Sequence, residues 1–188
     1  MELKTPHILV PITRQQAEDN LIPNDSMCLQ ELINGDLLLI RYAGSEVTAL
    51  DKINDPVELP SGVANALATL SQGKSIALIG VLRGQRFYAF DAVEFHGLDM
   101  RILQFGDRFK TLVRIIGTHR QSEIVTVQTY FGKEKKHWFD KLEQRAKGAV
   151  FKYTVGILAK DPQPPMFKVV FDRPDAKVID LFQNRKKA

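Results

Sequence analysis

Cysteine is all but missing: Cys28 stands alone in 188 residues, which excludes an internal disulfide and any multi-cysteine metal site. Long apolar runs are missing too. The longest, at 37–40 and 75–82, fall far short of the about 20 residues that a membrane helix needs. The first residues, MELKTPHILVPITRQQ, carry one lysine and a four-residue apolar run before a proline, without the long apolar stretch of a secretory signal. A cytoplasmic protein is expected, or a nuclear one if the source is eukaryotic. The four histidines, His7, His96, His119 and His137, are far apart and no pair has metal-ligand spacing, so no metal site is expected. Gly73-Lys74-Ser75 ends like a phosphate-binding loop, but the first glycine of that pattern is replaced by Ala68. The order is also helix then strand, where such a loop needs strand then helix.

With 44% hydrophobic and 26% charged residues the composition is that of an ordinary globular chain. Its length suffices for one domain with a buried core. Charge is uneven. Residues 1–132 hold 12 basic and 15 acidic side chains, a balance of −3, whereas residues 133–188 hold 14 and 7, a balance of +7. Clustered cations attract phosphates and release counterions on binding. The basic residues of this stretch, Lys133, Lys135, Lys136 and Lys141 in EKKHWFDKLEQRAK and just before it, are candidates for gripping a nucleic-acid backbone. A solvated helix face is the plainer alternative.

Hydrophobic patterning outlines the elements. A short strand or arm is expected over 7–12, then a polar helix or loop over 13–20 and a turn at 23–26. Two β-rich runs, 35–42 and 46–50, flank Ala43-Gly44-Ser45 as a hairpin. Ser61 is expected to cap a helix in which Val63, Leu67 and Leu70 recur at helical spacing. Strands at 75–82 and 85–95 form a second hairpin across Arg83-Gly84, closed by His96-Gly97. A helix over 107–115, a strand over 124–130, a helix over 135–146 with Trp138, Leu142 and Arg145 as its apolar stripe, and strands at 149–155 and 167–171 around a proline-rich loop at 161–165 complete the pattern. Hairpins with interspersed helices predict an α+β fold. The expected division is an N-terminal arm over 1–27, a domain over 28–175 and a basic tail over 176–188.

The stretch RFYAFDAVEFHGLDMRILQFGDRFKTL, with Phe90-Asp91, Gly97 and Asp107-Arg108, resembles a segment of the nucleotidyltransferase (adenylation) domain of ATP-dependent DNA ligases, a domain shared with RNA ligases and mRNA capping enzymes. The resemblance extends over roughly 28–171. It implies an ATP-grasp-like domain built of antiparallel sheets with flanking helices, with ATP and Mg²⁺ as cofactors, DNA or RNA as partner and a partner protein chain where motifs are missing. It also implies an aromatic, Phe90 or Tyr88, stacked on adenine. The family signature Lys-x-Asp/Asn-Gly falls on Leu32-Ile33-Asn34-Gly35, so leucine stands where the nucleophilic lysine should be. Leu37 stands where an arginine is usual. Lys52 falls where the family carries a ribose- or DNA-contacting arginine. Ile79-Gly80-Val81 replaces Asp-Gly-Glu, and Lys147-Gly148-Ala149-Val150-Phe151-Lys152 replaces Glu-Gly-x-Val-x-Lys. Lys168-Val169-Val170 keeps one lysine of Lys-x-Lys. Asn34, Gly35, Phe90, Lys152 and Lys168 are thus the nucleotide-binding candidates the resemblance implies, and no catalytic residue remains. Only 17 residues follow Phe171, so the family's OB-fold is not expected. The functions that follow are an inactive ligase-like binding or assembly module, an active ligase using an unrecognised lysine or a partner chain, or a structural subunit.

Overall fold

The computed structural model describes residues 9–117, 123–159 and 165–171. The expected tail, His7, His119 and loop residues 161–164 lie outside the described residues.

Two sheets make the framework. The first contains, in spatial order, β1 (Leu9–Pro11), β11 (Met166–Val170), β10 (Gly148–Tyr153), β2 (Met27–Glu31) and β9 (Thr129–Tyr130). The second contains β4 (Glu46–Leu50), β3 (Asp36–Ala43), β5 (Ile76–Arg83), β6 (Arg86–Phe95) and β7 (Leu98–Asp99), with β8 (Ile124–Thr126) also on β6. Most pairings are antiparallel, as the hairpin pattern requires. Two are parallel, β1 with β11 and β6 with β8. The strand expected over 124–130 is therefore divided: Ile124–Thr126 joins the second sheet and Thr129–Tyr130 crosses to the first.

Residues 9–27 are built into the first sheet. After β1 the chain forms α1 (Arg14–Gln16), capped by the Thr13 hydroxyl and the Gln16 side chain, then a π-helical turn Ala17–Leu21. Ala17 and Leu21 are buried with Met27, Leu29, Phe139, Leu142, Phe151 and Phe171 in the core under the first sheet. α2 (Ser61–Ser71) begins one residue earlier than expected: Pro60 is its N-cap, without a side-chain hydrogen bond, and Ser61 is already helical. Proline's fixed φ and absent N–H suit a position just outside the first turn. Val63, Leu67 and Leu70 face inward as their spacing predicts.

α3 (Phe105–Gly117) buries Phe105, Arg108, Phe109, Leu112, Ile115 and Ile116, an i, i+3, i+4, i+7 stripe against β6 that carries one arginine among hydrophobes. α4 (Glu134–Arg145) turns Lys135, Phe139 and Leu142 inward, which corrects the expected stripe of Trp138, Leu142 and Arg145. Trp138 lies at the edge of this core, stacked on Tyr130 with ring centroids 4.5 Å apart, with Lys141 and Arg145 at 4.6 and 5.6 Å from its ring.

Candidate functional site

The facing sheets leave a cleft with about 160 Å³ of free volume, below the roughly 300–1,000 Å³ usual for a small-molecule site. Alternation along the strands sets its walls. In the register of the first sheet Lys152 is opposite Cys28, and Val150 is opposite both Gln30 and Lys168. Side chains two apart share a face, so Gln30, Leu32, Val150 and Lys152 look into the cleft while Leu29 and Phe151 pack into the core behind. Leu9 and Met166, paired across β1 and β11, close one end. From the second sheet come Leu37, Val81 and Phe90, and from the segment after β8 comes Val127.

Two glycines allow this geometry. A Cβ on Gly35, at φ +155°, would collide with the Leu82 carbonyl and lie 2.8 Å from Val81 Cγ1. A Cβ on Gly148 would collide with the Val169 carbonyl and lie 2.8 Å from Leu32 Cδ2. Leu32 donates its backbone N–H to the Gly148 carbonyl at 3.0 Å. Its aliphatic side chain, packed on the Gly148 backbone, lines the cleft at the position where the family signature calls for a nucleophile.

Of the five nucleotide-binding candidates, the cleft brings together Gly35, Phe90 and Lys152. Asn34 is exposed and does not line it, and Lys168, half-buried on β11, stands outside the lining as well. Lys152 is the cation of this site. It is 6% exposed, and its Nζ has no hydrogen-bond partner. That nitrogen lies 3.7 Å from the centroid of Phe90 and 5.1 Å from that of Phe105. Burial pushes its ammonium down to about 8, against the opposing charge of Asp91. The neighbouring Cys28 thiol is pushed up to about 11 by burial, so it packs as a small neutral group. The lysine amine lies over the ring of Phe90, one of the two aromatics, with Tyr88, that the resemblance offers for stacking on adenine.

Behind Phe90 lies a buried ion pair that sequence reasoning did not identify as a pair. Arg108 donates from Nε and Nη2 to the two Asp91 carboxylate oxygens, 2.8 Å each, and from Nη1 to the carbonyls of Leu103 and Gly156. Both side chains are 2% exposed. The pair ties β6, which carries Phe90, to α3, which carries Phe105, and to the segment after β10. Phe90-Asp91 and Asp107-Arg108 were visible as sequence matches, but nothing in a linear pattern joins residues 17 apart.

The basic candidates separate on inspection. Lys135 is removed from any docking face: it is fully buried and donates to the carbonyls of Leu21, Met27 (3.0 Å) and Asn24, stapling α4 to the turn before β2. Lys136 is exposed but engaged by Glu18 and Asp140 at 3.0 and 2.9 Å. Lys141 lies over Trp138, while Lys52 and Lys133 are exposed on separate elements. Among the described residues no group of three His, Cys, Asp or Glu could hold a metal ion, and no helix is long and apolar enough to cross a membrane.

No family model and no curated protein matches this sequence. Solved structures do. A mycobacterial DNA ligase D complexed with ATP and MES superimposes with a TM-score of 0.70 and 16% identity over 90% of this chain and 62% of that one. The ligase domain of M. tuberculosis LigD gives 0.64 and 13% over 89% and 60%. A Chlorella virus DNA ligase-adenylate gives 0.53 and 14% over 86% and 67%. The chain spans about three fifths of the first two. At this identity the likeness is one of fold, and the fold is that of the ligase domain of ATP-dependent DNA ligases, α+β with two facing sheets.

Proposed function

We propose that this chain is a DNA-ligase-like domain that does not adenylylate itself and works as a binding or assembly module in nucleic-acid metabolism. The observation that carries this is Leu32 at the cleft wall. Formation of a phosphoramide bond needs a nitrogen lone pair, and an aliphatic chain has none. Magnesium does not fit the residues present. Val81 and Lys147 occupy the positions of acidic groups, and hard cations require oxygen ligands. A triphosphate does not fit either, because one lysine faces a charge of about −4 in a narrow apolar cleft.

As a partner, a nucleic acid is supported by the basic bias of residues 133–188 and by the exposed Lys52 and Lys133. Incubation with α-labelled ATP and Mg²⁺ followed by denaturation tests the main claim, with no label expected on the protein. Binding to nicked duplex that weakens steeply with salt is the expected behaviour of the module, and salt-independent or absent binding would favour a structural subunit. A second reading assigns the missing nucleophile to Lys152, favoured by its buried amine, which at about 8 is partly neutral near physiological pH. Label mapped to Lys152 would establish that reading over the first.

A further inference from the structure

The cleft holds an ammonium without an acceptor, and that mismatch specifies a ligand. Lys152 Nζ is fully enclosed and has no hydrogen-bond partner, although an ammonium has three donors. Of the charged groups around it, Asp91 and Cys28 are committed or neutral, and Glu31 also lines the cleft. Asp91 on β6 is held by both forks of Arg108 on α3, and Cys28 on β2 is a neutral thiol. The cleft lining is mostly apolar, with Leu9, Leu32, Leu37, Val81 and Met166 among it, and includes the polar Gln30 and Glu31. Phe90 and Phe105 offer their ring faces to the amine but no lone pair. A fixed cation in an apolar channel is complementary to a single anion on an apolar body. It is a poor match for a polyanion, since among the described residues no other cation lines the cleft and Glu31 does.

We propose that the inter-sheet cleft binds a small apolar monocarboxylate, its hydrocarbon part along Leu9, Leu32, Leu37, Val81 and Met166 and its carboxylate paired with Lys152. This rests on the reading that the cleft no longer serves self-adenylylation, and it names the ligand of that same site. The carboxylate supplies the acceptor that the ring faces of Phe90 and Phe105 do not. The pair is charge-assisted and shielded from water. Binding requires the protonated amine, so affinity is full below about pH 8 and falls about tenfold per pH unit above it.

The test uses the full chain with selectively ¹³C-labelled lysines, titrated with hexanoate, with hexanol of matched length, and with ATP. Expected are hexanoate binding at least tenfold tighter than hexanol, a rise in the Lys152 titration midpoint on saturation, and no displacement by ATP. Lys152→Met should lose the preference for hexanoate while still admitting hexanol, which shows that the cleft survives. Equal affinity for the two probes, a Lys152 resonance that hexanoate leaves unmoved, or displacement by ATP would overturn the proposal. A covalent nucleotide on the protein would overturn the non-adenylylating reading itself, whereas failure of hexanoate without any adduct leaves that reading standing and defeats only this ligand.

Discussion

Replacing Lys152 with methionine keeps the length of the side chain and removes its charge, so it isolates what the buried amine costs. Lowering an ammonium from its ordinary 10.5 to about 8 corresponds to roughly 3 kcal/mol by which the folded state disfavours the charged form. The cation–π contact with Phe90 returns about 0.5–2 kcal/mol of direct attraction that methionine lacks. The variant should therefore be more stable than the natural chain by about 1–3 kcal/mol near neutral pH. The penalty fades as pH rises. Between about 8 and 10.5 the unfolded chain holds a proton on Lys152 that the folded chain has released, so the natural protein gains stability as pH rises. The penalty is complete below about 8 and gone above 10.5. Cys28, raised from 9.0 to about 11, works in the opposite direction above about 9, and its shift is itself lowered by Lys152, so the comparison at about pH 7 is the cleaner one. Urea denaturation of both proteins at about pH 7 and about pH 9.5 measures the difference. A gap that favours the variant and narrows with pH is expected. A variant that is less stable at neutral pH, or a gap that ignores pH, would refute the account of Lys152 as an uncompensated buried charge.

Arg108→Met leaves the Asp91 carboxylate buried without its partner and should cost about 3–5 kcal/mol, while the double change to Asp91→Asn and Arg108→Met should cost less, read by thermal denaturation. If the double change costs the sum of Arg108→Met and Asp91→Asn measured singly, the pair is not coupled. Lys135→Met leaves three carbonyls without their donor and should cost about 1–3 kcal/mol, yet nucleic-acid binding by the folded fraction should be unchanged. Lys133→Glu, by contrast, touches no core contact and should leave the melting curve in place while weakening salt-sensitive binding to nicked duplex.

The parts of this fold that were legible in the sequence are those governed by short-range periodicity. The β3–β4 and β5–β6 hairpins and the inward residues of α2 follow from alternation and from i, i+3, i+4 spacing. What escaped was set by distant partners. β1 is three residues long and is held by a strand more than 150 residues away, so nothing local marks it as part of a sheet. The stripe of α4 was misread because Lys135 and Trp138 carry misleading chemistry. A lysine lies innermost, where carbonyls of another segment satisfy it, and a tryptophan lies at the rim under Lys141. At the site, Leu32, Gly35, Phe90 and Lys152, which the family likeness singles out, line the cleft, while Asn34 and Lys168 do not. The likeness gave no hint that the Lys152 amine lies on Phe90, because that contact depends on side-chain placement across two sheets.

The central claim is that this chain does not adenylylate itself. Exchange of labelled pyrophosphate into ATP reads that step directly, because it detects reversible adenylylation even when no adduct accumulates. The account predicts exchange no greater than the protein-free blank with the natural chain. Exchange above that blank, and lost on Lys152→Met, would contradict it and make Lys152 the nucleophile.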